Sequence, residues 1–359
     1  MERIFVQGNE AIGWGALMAG CEAFFGYPIT PQNEITEWFA REFPKRGRVF
    51  LQVPSEVSAI NMLFGAGACG VRAMTSTSGP GWALMQETMS YLSAGEIPCV
   101  IALVQRGGLP GEANVRHGQS CYFSATRGGG HGGYRNIVLA PSSVQENHDF
   151  IQLAFHLADK HRTPVVLLTD AIIGQMAEIL EVKTLDFPPL PPKDWAVGGK
   201  GRRKDKERRL ILQGPGVMGV PPHTTWGKFA ENYKKKLDEM KKEVRWEEYE
   251  VEDAEAIVVA YGYCARVSKA AVKRARKEGL KAGLIRPITL WPFPYEAIKR
   301  REGARFIVVE DCLGQMVEDV KMCVKDDVRF VGILDRHLPT VAGMIMPERV
   351  LREIREALR

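Results

Sequence analysis

Short apolar runs alternate with segments of helical spacing from residue 4 to about residue 180. Most of the runs are rich in β-branched and large aliphatic residues, and they are too short for buried helices, which favours strands. Repeated strand and helix units of this kind predict a parallel sheet with helices packed against it. The predicted strands are residues 23–26, 49–53, 73–75, 100–104, 137–139 and 165–168.

Two of the intervening helices begin at recognisable signals. Thr30 followed by Pro31 suits an N-cap and a first helical residue, because the fixed φ of proline fits the first turn. Ser143, with Glu146 three residues later, matches a capping box. The sequence therefore predicts that one helix begins after Thr30 and another after Ser143.

The alternating pattern is interrupted between residues 186 and 250 and then resumes. The interruption is first proline-rich and then charged, which predicts a surface linker with one helix near residues 226–242. From residue 251 the pattern predicts strands at 256–260, 282–285 and 306–310, a helix at 264–278 and an amphipathic helix after Pro347. The predicted fold class is α/β, with domains at residues 1–185 and 251–359 joined by the linker.

Composition and charge exclude several classes of protein. With 359 residues and 45% hydrophobic content, the chain can bury substantial cores. No apolar run approaches the roughly 20 residues of a membrane-spanning helix, and the first residues lack a secretory signal, so we expect a cytoplasmic protein with no membrane contact. The net charge of +5 equals the surplus of seven basic over two acidic residues between Lys200 and Arg209. A solvated linker surface explains that surplus, with an acidic partner surface as the alternative, and we expect no nucleic-acid partner.

The cysteines and histidines lack the spacing of metal or cluster ligands. The seven cysteines are scattered and form no Cys-x-x-Cys pair, so we expect no iron-sulfur cluster, zinc ribbon or disulfide framework. The histidines show no metal-ligand spacing either. The sequence predicts no metal site in this chain.

Loops at the carboxyl ends of strands are candidate sites, because ligands of open α/β sheets bind there. The loop after the first predicted strand contains Tyr27, Pro28, Ile29 and Thr30. Its prolines fix the backbone, and a helix capped by Thr30 would direct its positive end at a pocket. A purely structural turn is the alternative.

Two charged side chains also follow predicted strands. Glu56 stands in the first turn of a predicted helix, where it can serve catalysis or simply complement the helix dipole. Arg106 follows the strand at 100–104, where it suits recognition of a carboxylate, and a surface ion pair is the alternative.

Two glycine-containing loops complete the candidate site. Residues 75–81, which include Ser78 and Gly79, are small and polar and allow a ligand to approach the backbone closely, although they lack the ending of a P-loop. The glycine-rich segment 127–134 is expected either to close over a substrate, with His131 as a polar contact, or to be a mobile surface loop.

These motifs occur in an order that resembles the pyrimidine-binding domain of 2-oxoacid:ferredoxin oxidoreductases. The resemblance rests on residues 26–31, 55–56, 74–81, 105–108, 129–132 and 138–143. In the tail, residues 261–262, 286–287, 290–294 and 310–316 resemble the transketolase-type C-terminal domain of the family. The likeness covers the chain except roughly residues 190–250. Within the family the pattern is most similar to the alpha subunit of the 2-oxoisovalerate (branched-chain) type, with the 2-oxoglutarate and pyruvate types as near relatives.

The resemblance implies an enzyme that oxidatively decarboxylates a 2-oxoacid to an acyl-CoA, with ferredoxin as electron acceptor and thiamine diphosphate as cofactor. Glu56 corresponds to the glutamate that hydrogen-bonds the aminopyrimidine ring of the cofactor. Thr30 and Arg106 match the positions that hold the carboxylate of the substrate. The implied cofactor-binding residues are Tyr27, Pro28, Ile29, Ser78 and Gly79.

The resemblance also implies partner subunits. This sequence has no Gly-Asp-Gly motif for magnesium and diphosphate, so a beta subunit is expected to supply both and to share the thiamine diphosphate site. A ferredoxin-like subunit, or the beta subunit itself, is expected to hold the iron-sulfur clusters, and a gamma subunit is expected as well. Two alternatives stay open: a lipoyl-linked dehydrogenase or transketolase-like enzyme, and a non-catalytic assembly subunit that shares the fold.

Overall fold

The computed structural model describes residues 2–107, 109, 116–198, 226–325, 328–335 and 343–359. The elements up to residue 182 are β1 (Glu2–Gln7), α1 (Gly8–Met18), β2 (Ala23–Gly26), α2 (Asn33–Glu42), β3 (Val49–Gln52), α3 (Glu56–Ala68), β4 (Ala73–Thr77), α4 (Gly79–Ala94), β5 (Cys99–Gln105), α5 (Tyr122–Thr126), β6 (Ile137–Leu139), α6 (Val144–His161), β7 (Pro164–Asp170), α7 (Ala171–Gln175) and β8 (Ala177–Val182). The later elements are α8 (Trp226–Lys241), β9 (Trp246–Tyr249), β10 (Ala256–Ala260), α9 (Gly262–Lys277), β11 (Ala282–Pro287), β12 (Thr289–Trp291), α10 (Tyr295–Lys299), β13 (Arg305–Val309), α11 (Met316–Lys321), β14 (Arg329–Val331) and α12 (Pro347–Ala357).

The larger sheet has seven strands in the order β12–β6–β7–β5–β4–β2–β3. Its neighbours pair in parallel, except that β12 runs antiparallel to β6 at one edge. Along the central strand β5, Ile101 and Leu103 belong to one core cluster, whereas Val100 and Ala102 belong to the cluster on the opposite face. A strand buried on both faces requires a continuous apolar run, which is why β5 was recognisable in the sequence. The six predicted strands of this sheet are confirmed within two residues at each end.

The smaller sheet has five strands in the order β14–β13–β10–β11–β9. Its pairs are parallel except for β9, which runs antiparallel to β11 at one edge. The predicted strands β10, β11 and β13 and the helices α9 and α12 are confirmed, and so is α8 in the segment expected to be a linker. The mixed α/β class is therefore as predicted, with helices packed on two sheets.

Several short strands were not predicted. β9 and β14 are edge strands of the smaller sheet, and β12 adds to the larger sheet from a distant part of the chain. β1 and β8 form a separate antiparallel ribbon. Within the described ranges, no helix is both long and apolar enough to cross a membrane.

The two predicted helix starts have different outcomes. Ser143 caps α6, since its Oγ accepts a hydrogen bond from Glu146 N at 3.1 Å, as predicted. Thr30 does not cap α2, and that prediction is wrong: α2 begins at Asn33 with Gln32 at the N-cap, and the Thr30–Pro31 peptide is cis. The physical reason is a turn in which Gln32 N donates to Ile29 O at 3.0 Å, which delays the start of the helix.

A buried carboxylate joins the two sheets at the carboxyl end of β7. Asp170 is fully buried and caps α7 by accepting from Ile173 N at 3.0 Å. Its other oxygen accepts from Tyr263 N of α9 at 2.8 Å. Burial is the main reason that the pKa of Asp170 is raised to about 6, because the apolar surroundings disfavour the charged form.

The raised pKa predicts a pH-dependent stability that Asp170→Asn should remove. Between about pH 4 and 6 the folded chain keeps a proton on Asp170 that the unfolded chain releases, so this group destabilises the fold increasingly as pH rises through that window. Asn cannot ionise. The free energy of unfolding of the variant, relative to the parent, should therefore rise with pH, by up to about 3 kcal/mol from pH 4 to 6.

Urea unfolding of both proteins at pH 4, 5, 6 and 7 measures this difference. Glu42→Gln, measured also at pH 3, is the control with the opposite sign, since Arg46 holds the pKa of Glu42 at about 2 and its stabilisation is lost as pH falls below about 4.5. A constant difference between parent and Asp170→Asn at all four pH values would contradict the raised pKa.

Candidate active site

Glu56 is a buried carboxylate at the start of α3. Ser55 caps this helix by accepting from Ser58 N at 3.2 Å, so Glu56 occupies the first helical position. Glu56 is only 6% exposed, and none of the described residues donates a hydrogen bond to its carboxylate. A glutamate that merely complements a helix dipole lies in water, whereas the Glu56 side chain is largely enclosed and its carboxylate has no donor within the described ranges. Its burial therefore favours a ligand that completes its hydrogen bonding.

The first turn of α4 forms one wall around Glu56. A Cβ atom added at Gly81 would lie 2.5 Å from Glu56 Oε1 and 2.2 Å from Thr77 Oγ1, so only glycine allows this approach. Ser78 is the N-cap residue of α4, and its buried hydroxyl has no partner in the described part of the chain. The structure thus brings the small polar loop at 75–81 against Glu56, as expected for a single site.

The loop that carries Thr30 is held in place by hydrogen bonds of the Gln32 side chain. Gln32 is fully buried, and its Oε1 accepts from Ser76 Oγ at 2.5 Å and from Thr36 Oγ1 at 3.1 Å. Its Nε2 donates to the carbonyl oxygen of Tyr27 at 2.9 Å. The loop is therefore tied to β4 and α2 at once, which limits its motion relative to Glu56.

Arg106 and Thr30 are brought together although they are 76 residues apart in the chain. Arg106 Nη1 donates to the Thr30 carbonyl oxygen at 2.7 Å, and Arg106 Nε is buried without a partner in the described ranges. No carboxylate of those ranges pairs with the guanidinium, so the surface ion pair considered as an alternative is absent from the described chain. A half-buried guanidinium with free donors is suited to bind a carboxylate from outside the chain.

The glycine-rich loop is anchored to α4. His131 N donates to Ser90 Oγ at 2.9 Å, and a Cβ added at Gly130 would collide with Ser90 and Gln86. Ser90 lies about 13 Å along the helix from Gly81, given a rise of about 1.5 Å per residue. The side chain of His131 is exposed and packs 5.1 Å from the Tyr91 ring, centroid to centroid. These contacts hold the glycine-rich loop against α4 in the described structure.

Thiol and metal chemistry find no support in the described residues. Cys121 lies under the Ser78–Gly79 turn, and burial raises the pKa of its thiol to about 12, so the thiol stays neutral. Among the residues that the structure describes, no group of three His, Cys, Asp or Glu side chains can hold a metal ion. The carboxyl ends of β3 and β5 therefore offer a buried carboxylate at Glu56 and a cationic group at Arg106.

Sequence reasoning missed the supporting residues of this site. Gln32 follows the recognised Thr30–Pro31 element directly, but a glutamine in a turn gives no signal of a buried role. Asn9 Nδ2 donates to the Pro31 carbonyl oxygen at 2.7 Å, and the sequence between them gives no hint of that contact. Gly81 was visible in the loop, although its closeness to Glu56 depends on the packing of α3 against α4.

Two family models together match most of the chain. Residues 14–251 match the model described as pyruvate flavodoxin/ferredoxin oxidoreductase, thiamine diphosphate binding. Residues 254–343 match the model described as pyruvate:ferredoxin oxidoreductase core domain II.

Relatives of similar length support the same relationship. The chain is 45% identical over 354 residues to the ketoisovalerate oxidoreductase subunit VorB of Methanothermobacter marburgensis, covering 98% of this chain and 97% of the relative. It is 38% identical over 340 residues to the 2-oxoglutarate synthase subunit KorA of Methanocaldococcus jannaschii, covering 89% and 92%.

Solved structures agree with these relatives. The 2-oxoglutarate:ferredoxin oxidoreductase from Magnetococcus marinus, with 2-oxoglutarate, coenzyme A and succinyl-CoA bound, has a TM-score of 0.83 at 26% identity. The match covers 99% of this chain and 65% of that one. A split-gene transketolase, with a TM-score of 0.56 at 14% identity, shares the fold alone.

The packing around Glu56 predicts that Gly81→Ala displaces its carboxylate. The added methyl group overlaps Glu56 Oε1 and Thr77 Oγ1, so the side chain must move, at a cost of about 1–3 kcal/mol in the free energy of unfolding. A crystal structure and an unfolding curve of the variant measure both effects.

Gly65→Ala is the matched control. Gly65 lies in α3, and an added Cβ there meets nothing within 4 Å, so this variant should be neutral or slightly stabilised. If Glu56 has not moved in the Gly81→Ala structure, the first turn of α4 must have shifted instead, and the close packing of Gly81 does not fix the carboxylate.

Proposed function

The chain belongs to the 2-oxoacid:ferredoxin oxidoreductase family, and on that premise we propose that it is the alpha subunit of an enzyme that oxidatively decarboxylates a branched-chain 2-oxoacid to an acyl-CoA. The cofactor of the family is thiamine diphosphate. The observation that carries the proposal is Glu56, a carboxylate buried without a partner in the described ranges at the carboxyl end of a parallel sheet.

The residues around Glu56 fit an aminopyrimidine ring. Glu56 would provide the carboxyl group that hydrogen-bonds the ring, and Ser78 offers a buried hydroxyl without a partner in the described chain. Gly79, Tyr27, Pro28 and Ile29 would line the same side, where the backbone can approach a flat ring closely. When bound, thiamine diphosphate supplies the nucleophilic carbon at which 2-oxoacids lose carbon dioxide.

Arg106 and Thr30 would hold the carboxylate of the substrate. The Thr30 carbonyl oxygen engages one end of the guanidinium and so sets its direction, which leaves the other N–H groups for a bidentate contact. Fixing the carboxylate orients the neighbouring carbonyl carbon, and orientation of this kind lowers the entropic part of the barrier.

The branched-chain substrate is supported by the degree of similarity. Identity is 45% to a ketoisovalerate oxidoreductase subunit, 38% to a 2-oxoglutarate synthase subunit and 30% to the pyruvate synthase subunit PorA of Pyrococcus abyssi. The 2-oxoglutarate and pyruvate types are the alternatives.

A beta subunit would complete the site with magnesium and the diphosphate-binding groups, and partner subunits would hold the iron-sulfur clusters. The support is a group of exposed apolar side chains on the elements that flank Glu56. Val57 and Met62 of α3 and Val49 and Leu51 of β3 are all at least 40% exposed. Apolar surface next to an incomplete site suits a subunit interface.

The proposed division of the chain follows the two sheets except at two edge strands: β9 of the smaller sheet falls in the linker, and β12 of the second domain joins the larger sheet. Residues 1–185 would be the pyrimidine-binding domain, 186–250 a linker and 251–359 the transketolase C-terminal-like domain. The start of the second family match at residue 254 supports the last boundary. We also place the complex in the cytoplasm, since all seven cysteines are free thiols, as suits a reducing compartment.

Glu56→Gln tests the catalytic role. Gln keeps the shape of Glu but cannot hold the acidic proton, so reduction of a viologen dye with 2-oxoisovalerate and coenzyme A should fall by about 100-fold or more in the assembled complex. Assembly, followed by co-purification with the partner subunits, should be unchanged.

Glu10→Gln is the matched control. Glu10 is also a first-turn glutamate, but it closes a capping box on Gln7 N at 3.3 Å and should be dispensable for turnover. Near-normal rates for Glu56→Gln would favour the non-catalytic assembly subunit instead.

A panel of 2-oxoacids tests the substrate. We expect kcat/KM for 2-oxoisovalerate to exceed that for pyruvate by about tenfold or more, which is the range that one or two buried methyl groups provide. A preference for 2-oxoglutarate or pyruvate would assign the chain to the corresponding alternative type.

A further inference from the structure

Asp311 is a buried carboxylate beside the smaller sheet, and it bonds to His117 and Gln119 on the side of the larger sheet. It follows β13 and is fully buried. His117 Nδ1 lies 2.5 Å from its Oδ2, which also accepts from Tyr263 OH at 2.6 Å. Its backbone is bonded in both directions to Gln119: Gln119 N donates to Asp311 O at 2.8 Å, and Asp311 N donates to Gln119 Oε1 at 3.0 Å. Residues 117 and 119 are therefore held by three bonds to a single residue.

The same segment holds Arg106 on its other side. Gly107 N donates to Arg116 O at 2.7 Å, and Cys121 N donates to Gln105 Oε1 at 3.2 Å. Ser120 Oγ donates to the carbonyl oxygen of Arg106 itself at 3.4 Å. Residues 116–121 thus contact Arg106 and both of its chain neighbours, and we call residues 116–121 the bridging segment.

We propose that Asp311 is a positioning residue for Arg106, acting through the bridging segment. The inference rests on the proposed role of Arg106 as the ligand of the substrate carboxylate. Asp311 fixes the bridging segment by way of His117 and Gln119, and the bridging segment fixes the backbone from which the guanidinium extends. The smaller sheet therefore contributes to substrate binding without touching the substrate.

A second carboxylate at the same junction serves as a control, because it also joins the two sheets but does not bond to the bridging segment. Asp319 is 1% exposed and accepts from Tyr122 OH at 2.7 Å, Tyr295 OH at 2.7 Å and Arg127 Nη2 at 3.0 Å. On the larger-sheet side of the junction, Asp319 bonds to Tyr122 and Arg127, which follow the bridging segment in the chain. Loss of Asp319 should weaken the junction and leave Arg106 in place.

The experiment compares Asp311→Ala, Asp319→Ala and His117→Ala in the assembled complex. Asp311→Ala removes the contact with His117 and leaves the two backbone bonds to Gln119. We expect KM for 2-oxoisovalerate to rise by up to about tenfold, because a small displacement of a binding group is costly. The kcat value, KM for coenzyme A and the affinity for thiamine diphosphate should change by less than about twofold. Asp319→Ala should lower Tm without raising KM for the 2-oxoacid.

Two further variants keep the test decisive when Asp311→Ala fails to assemble. Asp311→Asn retains an oxygen for Tyr263 OH and His117, so it should recover most of the affinity. His117→Ala, at a side chain that is 18% exposed, should reproduce the rise in KM. Combining it with Asp311→Ala should add little, as expected for two residues that act through the same contact.

Arg106→Lys separates an error in the proposed role of Arg106 from an error in the positioning role of Asp311. If Arg106→Lys leaves KM for the 2-oxoacid unchanged, the proposed function of Arg106 is wrong. If Arg106→Lys raises KM while Asp311→Ala and His117→Ala do not, or if Asp319→Ala raises it equally, the positioning role of Asp311 is overturned and the proposed function stands.

Discussion

The unpaired carboxylate of Glu56 is the constraint around which the candidate site is arranged. Glu56 is only 6% exposed and its carboxylate receives no hydrogen bond from the described residues, so a ligand that donates a hydrogen bond to it would gain a partner already fixed in place. Gly81 lacks a side chain, which lets α4 approach Glu56, and Gln32 ties the Thr30 loop to β4.

The two sheets are not independent modules joined by a tether. Asp170, Asp311 and Asp319 are buried at their junction, and each accepts hydrogen bonds that cross from one sheet to the other. Buried carboxylates with bonded partners add little net stability, but their cost depends strongly on geometry, because a misaligned partner leaves a buried charge unpaired. The junction therefore sets the relative placement of the sheets more strictly than apolar contact alone would, and Arg106 lies at the end of one such set of bonds.

The sequence predicted what depends on local pattern. Central strands such as β5 are apolar on both faces, and Ser143 carries its own capping partner three residues away, so both were recognised. β9 escaped notice because its Trp-Glu-Glu-Tyr sequence is half-exposed at an edge, and Thr30 was assigned a cap that the turn at Gln32 displaces. Glu56 was selected as a candidate through its motif. The roles of Gln32 and Asp311 depend on partners 44 and 194 residues away, which no local pattern encodes.

The outer strand β3 has a consequence for how the chain is made. In the described part of the chain it pairs only with β2, and Val49 and Leu51 project from it with about half of their surfaces in water. An unprotected strand of this kind is a template for addition of another chain, including a second molecule of itself. A newly synthesised chain whose β3 edge meets no other chain is therefore exposed to self-association, which makes the time spent uncovered a risk of aggregation.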